Sequence, residues 1–97
     1  MPSYVVLGKW TEQGIRDIKN SPARLERVKH GAQAAGGRLI SFYMTMGEYD
    51  FVCVFELPSD QVVARLLLQT GMQGNVRSVT MQAFTEDEYQ KIVGSLS

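Results

Sequence analysis

The chain has 97 residues, of which 44% are hydrophobic, the proportion of a small globular domain rather than of a disordered segment. Ten basic and ten acidic residues leave no formal net charge, which excludes an unspecific polyanion binder, because that affinity needs excess positive charge. No apolar run approaches the ~20 residues that cross a bilayer, and the start Met1-Pro2-Ser3-Tyr4 has neither the basic lead nor the small-residue cleavage site of a signal peptide. One cysteine, Cys53, allows no internal disulfide, so a cytoplasmic protein is expected.

Tyr4 to Trp10 reads as a strand from its β-branched and aromatic residues. Thr11 offers a cap for a short helical segment from Gln13 to Lys19. Ser21-Pro22 starts a second helix: serine caps, and proline in the first turn loses no hydrogen bond. Its stripe is Leu25, Val28, Ala32 and Ala35, and Gly36-Gly37 ends it. Arg38 to Met46 is the second strand, Gly47-Glu48 a two-residue hairpin turn, and Asp50 to Leu57 the third strand. Pro58-Ser59-Asp60 opens a helix with Val63, Leu66 and Leu67 inward, closed by Gly71 and Gly74-Asn75. Val76 to Phe84 is the fourth strand. Thr85-Glu86-Asp87-Glu88 is a capping box, opening a last helix with Tyr89, Ile92, Val93 and Leu96 on one side.

The order β-α-β-β-α-β-α predicts an α+β, ferredoxin-like fold over residues 1–97. Its four-stranded antiparallel sheet has order 4-1-3-2, with helices on one face. No repeat or linker interrupts it. Such a sheet should alternate apolar and polar residues, but these strands do not. Tyr4, Val6 and Trp10 oppose Val5 and Leu7; Phe51, Cys53 and Phe55 oppose Val52 and Val54; Ile40, Phe42, Met44 and Met46 oppose Leu39 and Tyr43. Helices of the same chain cover one face. The other predicts a homodimer, or a ring of dimers, sheet against sheet, unless the last helix folds across it.

Gly47-Glu48-Tyr49-Asp50 carries a resemblance. The chain resembles the GYD-domain family, small bacterial proteins named for that glycine, tyrosine and aspartate. The likeness extends to Tyr4-Val5-Val6-Leu7-Gly8-Lys9-Trp10-Thr11, Ser21-Pro22-Ala23-Arg24, Gly74-Asn75-Val76-Arg77 and Ala83-Phe84-Thr85-Glu86-Asp87-Glu88. It implies a fold of the dimeric α/β-barrel type and no established reaction. Gly47 to Met81 is also similar to the effector-binding domain of the leucine-responsive/asparagine regulators, whose DNA-binding helix-turn-helix has no counterpart here.

Two readings of the motif stand. In one, Gly47 frees the turn, Asp50 accepts from backbone donors and Tyr49 packs on a neighbouring strand. In the other, Tyr49 and Asp50 line a small-molecule site. The order 4-1-3-2 sets the start of strand three beside the end of strand one. That brings Lys9, Trp10, Tyr49 and Asp50 to one end of the sheet, where a cation, a carboxylate and two rings could hold a small organic acid or aromatic metabolite. The competing expectation there is a Lys9–Asp50 surface bridge.

His30 reads as solvated and Cys53 as a small core residue. The methionines Met44, Met46, Met72 and Met81 suit either core gaps or an adaptable pocket. Residues 1–38 carry seven of the ten Lys/Arg and three of the ten Asp/Glu. That asymmetry fits solvated faces, charge pairing between subunits, or an anionic ligand near Lys9 and Arg24. No metal, cofactor, nucleic acid or membrane is implied. The functional expectation is an oligomeric binder of an effector or metabolite without catalysis of its own. The alternative is a small enzyme of monooxygenase, isomerase or decarboxylase type acting on an organic acid or quinone-like substrate.

Overall fold

The computed structural model describes residues 1–97. The elements are β1 (Ser3–Trp10), α1 (Glu12–Arg16), a 3₁₀ turn (Ile18–Asn20), α2 (Ser21–Ala34), β2 (Arg38–Met44), β3 (Phe51–Glu56), α3 (Asp60–Met72), β4 (Val76–Ala83) and α4 (Glu86–Gly94). The strands form one antiparallel sheet in the order β2-β3-β1-β4, the predicted ferredoxin-like α+β arrangement. No helix is long and apolar enough to cross a membrane.

Three helices start where their side chains cap them. Thr11 accepts from the Gly14 N–H, Ser59 from Val62 and Thr85 from Glu88. Helix α2 differs from expectation. The 3₁₀ turn runs straight into it, Ser21 is its first residue, and the Asn20 side chain at the cap position does not cap the helix. The predicted first helix, Gln13 to Lys19, is therefore two short pieces broken at Asp17.

The core lies between the sheet and helices α2 and α3. Tyr4, Val6, Phe51, Cys53, Phe55, Leu57, Ala32 and Val63 are buried there, with Val28, Leu66 and Leu67 packed against them. The Tyr4 hydroxyl donates to Asp60 Oδ1 at 2.5 Å, tying β1 to the first turn of α3. Register then fixes the open face: Val5 and Leu7 on β1, Val52 and Val54 on β3, Tyr43 on β2, and Val79 and Met81 on β4.

Two expectations change here. Strand β2 does not alternate throughout, because a bulge between Leu39 and Ser41 shifts its register. Leu39 therefore pairs with Phe55 and Phe42 with Cys53, both toward the helices, instead of facing opposite ways. The hairpin is also longer than two residues. Thr45 N–H donates to the Asp50 carbonyl at 2.8 Å, leaving Met46, Gly47, Glu48 and Tyr49 as the loop. Gly47 keeps its turn role within it, at φ +145°.

Helix α4 does not cross the open face. Every residue from Phe84 to Ser97 is exposed, including Tyr89, Ile92, Val93 and Leu96. The radius of gyration is 14.6 Å, above the about 12.5 Å of a compact chain this long, and the extents are 53 × 31 × 17 Å. The four methionines weighed for core gaps, Met44, Met46, Met72 and Met81, are exposed as well.

Two glycine substitutions should separate steric from backbone effects. A Cβ on Gly8 would overlap the buried Phe51 ring, which Trp10 and Phe42 hold in place, whereas a Cβ on Gly47 meets nothing within 4 Å. Gly8→Ala should cost about 1–3 kcal/mol in a denaturant melt through overpacking. Gly47→Ala should cost roughly 1 kcal/mol through its backbone alone.

The capping box should respond to acid. The Thr85 backbone N–H, and then its hydroxyl, holds the Glu88 carboxyl below the usual carboxylate range. Its folded value lies below its unfolded one. The box is therefore fully formed above the unfolded value and is lost as pH falls through the folded one. Helical circular dichroism should fall in that acid window, and Glu88→Gln should remove that part of the change.

Candidate functional site

The corner where β1 ends and β3 begins does bring the four expected residues together. Asp50 sits one residue before β3. Its N–H donates to the Gly8 carbonyl at 2.8 Å, and its Oδ2 accepts the Trp10 N–H at 3.0 Å. The carboxylate thus extends the β1–β3 ladder by one side-chain rung. Thr45 Oγ1 donates to the Tyr49 carbonyl at 2.6 Å and holds the hairpin loop against it.

Lys9 and Trp10 then diverge, because successive strand residues face opposite sides. The Trp10 ring turns toward the helices and meets Phe51 at 5.6 Å between centroids. Lys9 lies on the open side, its ammonium 5.2 Å from the centre of the Tyr49 ring. The expected Lys9–Asp50 bridge is not formed. The cation rests on the aromatic face, and the ion pairs of the chain are Arg16–Glu12, Arg24–Asp17, Lys29–Glu26 and Arg38–Glu56.

A second feature lies behind Trp10. Between the covered face of the sheet and helices α2 and α3 is a cavity of about 100 Å³. Trp10, Phe42, Phe51, Val28 and Leu67 supply apolar wall, and Arg24 with Ser21 stands at the start of α2. Of the four corner residues only Trp10 reaches this cavity. Cys53 also lines it, and burial pushes its thiol up to about 12, so the sulfur stays protonated and unreactive near neutral pH. His30 is exposed, as expected. No three His, Cys, Asp or Glu side chains converge as a metal-ligand set.

Sequence reading grouped Arg24 with Lys9 as a candidate anion site. The structure separates them: Lys9 is on the open face, while Arg24 lines the covered cavity. The signal for Arg24 was available, since it precedes Val28 by four residues and so shares the inward stripe of α2. The contribution of Phe42 was hidden by the bulge in β2.

Known proteins give the family. A relative from Thermus thermophilus, the glutamine synthetase and cystathionine beta-lyase binding protein, is 32% identical over 84 residues, covering 86% of this chain and 88% of the relative. Among solved structures, a feast or famine regulatory protein from M. tuberculosis, complexed with L-methionine, superposes with a TM-score of 0.65 at 22% identity. That match covers 88% of this chain and 51% of the regulator, so the chain spans about half of it. A second solved structure, of a protein from Thermus thermophilus, superposes with a TM-score of 0.53 at 18% identity, covering 88% of this chain and 95% of that one. These superpositions confirm the fold. Residues 4–93 match the GYD domain, and with the corner of Gly47, Tyr49 and Asp50 in place the chain belongs to the GYD domain family.

Proposed function

We propose that this chain is a cytoplasmic bacterial homo-oligomer that acts as a binding protein, taking up a small organic ligand and docking on other proteins, with no catalysis of its own. One observation carries the reading: the open sheet face and the detached helix α4 are both apolar and both unpartnered within the chain. Val5, Leu7, Val52, Val54, Val79 and Met81 run together across three strands, and Tyr43 extends them onto β2. Apolar surface of that extent on an isolated chain favours association, and a symmetric pairing of identical patches is the economical arrangement.

Charge supports a second copy as the occupant. Lys9 and Arg77 are register partners at one end of the open face. The acidic run Glu86, Asp87 and Glu88 follows β4 from the other end. A two-fold axis lying across the strands sets the basic end of one sheet over the acidic end of its partner. It also lets α4 lay its Tyr89, Ile92 and Val93 side on the second subunit. The Thermus relative, named for binding two enzymes, favours protein docking as the output of such an assembly. The enzymatic alternative has only the analogy of fold behind it.

Of the four corner residues, Trp10 enters this reading as a wall of the ligand region, with Asp50 holding it in position, while Lys9 and Tyr49 lie at the same end of the open face. Asp50→Ala frees the Trp10 N–H and the end of β1. It should lower stability by about 1–3 kcal/mol in a chemical melt. Lys9→Ala removes only the contact over Tyr49 and should cost under about 1 kcal/mol.

Light scattering at micromolar concentration should give twice the 10.8 kDa chain mass, or a multiple of it. Tyr43→Glu should split the assembly or unfold it, because an unpaired charge buried in an interface costs several kcal/mol. A wild-type monomer would defeat the proposed assembly. Native mass spectrometry on the same sample reads any retained ligand.

A further inference from the structure

Arg24 sits in the first turn of α2 with its side chain only 12% exposed. Its Nη1 donates to Asp17 Oδ2 at 2.9 Å and to the Asp17 carbonyl at 3.1 Å. Its Nη2 is buried and donates to nothing. The Asp17 carboxylate offers no relief: Oδ2 is engaged with Nη1, and Oδ1 accepts from Asn20 Nδ2 at 2.6 Å. A buried charged donor without an acceptor is among the least tolerated features of a folded protein, and native structures carry few. Arg24 is itself one of the residues that line the cavity between sheet and helices. Thr80 Oγ1, the other buried side-chain atom without a partner, lies on the same covered face through its pairing with Val6, itself a cavity residue.

We propose that this cavity holds a small monocarboxylate with an apolar body, its carboxylate taken by Arg24 Nη2 and its body set against Trp10, Phe51, Phe42 and Leu67. Each part of the class follows from the walls. A guanidinium arm with one open donor asks for a planar anion. The mainly apolar lining penalises a phosphate, whose extra charge would meet no second cation among the neutral polar residues Ser21, Thr70, Gln73, Asn75 and Ser78. A neutral hydrocarbon would fill the space and leave Nη2 unpaired. The volume of about 100 Å³ sets the size of the apolar body, since benzene takes a cavity near ~150 Å³. A short branched body such as that of isobutyrate is within that size, and a phenyl ring is not. The inference rests on the reading of this chain as a small-molecule binder and is independent of how the chain assembles.

The test uses the full-length chain in calorimetric titration and thermal melts with three probes: isobutyrate, its neutral counterpart isobutyl alcohol, and inorganic phosphate. Isobutyrate should bind and raise the melting temperature, isobutyl alcohol should bind roughly tenfold or more weakly, and phosphate should do neither. Arg24→Gln should erase the preference for isobutyrate over isobutyl alcohol while Val28→Phe, which fills the cavity and leaves Arg24 in place, should abolish both. If Arg24→Gln does not fold, Arg24→Lys keeps a charge beside Asp17 without the second arm and should show the same loss of preference. Equal binding of isobutyrate and isobutyl alcohol, binding of neither, or a preference that survives in the arginine variants overturns the inference. If native mass spectrometry finds a different retained molecule, the carboxylate inference falls and the binding-protein reading stands. A wild-type chain that is monomeric and retains nothing removes that reading itself.

Discussion

Two helices can cover only one side of a four-stranded sheet, and the side left open in this chain is nearly as apolar as the side that is covered. The strands therefore cannot be read as half-buried ribbons. Along β3, Phe51, Cys53 and Phe55 go under the helices while Val52 and Val54 stay half-buried on the open side. Branched residues on both faces stiffen the sheet and suit the pleat. They also leave the chain with apolar surface that its own helices do not reach. Helix α4 has the same property, since its capping box gives it a firm start and nothing in the chain lies beneath it.

The family motif works as a corner brace. Gly8 has no Cβ because the Phe51 ring occupies that space. That close approach lets the Asp50 N–H reach the Gly8 carbonyl, and the Asp50 carboxylate then takes the N–H of Trp10. The Trp10, Phe51 and Phe42 rings follow one another, with centroids 5.6 and 5.5 Å apart, from the edge of β1 to β2. A carboxylate at the mouth of a hairpin thereby fixes an aromatic wall inside the core. Gly47 contributes the positive φ that lets the loop turn back, and Thr45 ties the loop to Tyr49.

The sequence made the caps of α1, α3 and α4 and the two apolar faces legible because each depends on neighbours three or fewer residues away or on simple alternation, and the strand order followed from the order of the elements. Ser59 and Thr85 announce their helices through side-chain oxygens that accept backbone N–H groups at fixed spacing. What it concealed depends on contacts across the fold. The bulge after Leu39 is set by how β2 meets β3, and nothing in Arg38-Leu39-Ile40-Ser41 alone requires it. The break at Asp17 follows from the Arg24 guanidinium seven residues on, which binds both its carbonyl and its carboxylate. The corner of Lys9, Trp10, Tyr49 and Asp50 was foreseeable from strand order. The divergence of Lys9 and Trp10 follows from strand alternation, whereas the place of Lys9 over Tyr49 rather than beside Asp50 follows only from the path of the hairpin loop in space.

The cavity and the open face share their backbone. Val6, Phe51, Cys53 and Phe55 line the cavity, and the residues between them along the same strands, Val5, Leu7, Val52 and Val54, form the open face. Side chains on one face cannot be displaced without turning the strand that presents the other, because interiors are close-packed and a strand carries both sets on one backbone. On the proposed reading, any preference of a ligand for one twist of the sheet is matched by an equal preference of the assembly built on that twist, since coupling between two binding events is reciprocal. Arg24 gives such a link a defined polar end. Its partner Asp17 lies at the break between α1 and the 3₁₀ turn, so the guanidinium joins the cavity to the segment that leads from β1 into α2. The sheet is thus the one element that the cavity and the open face have in common.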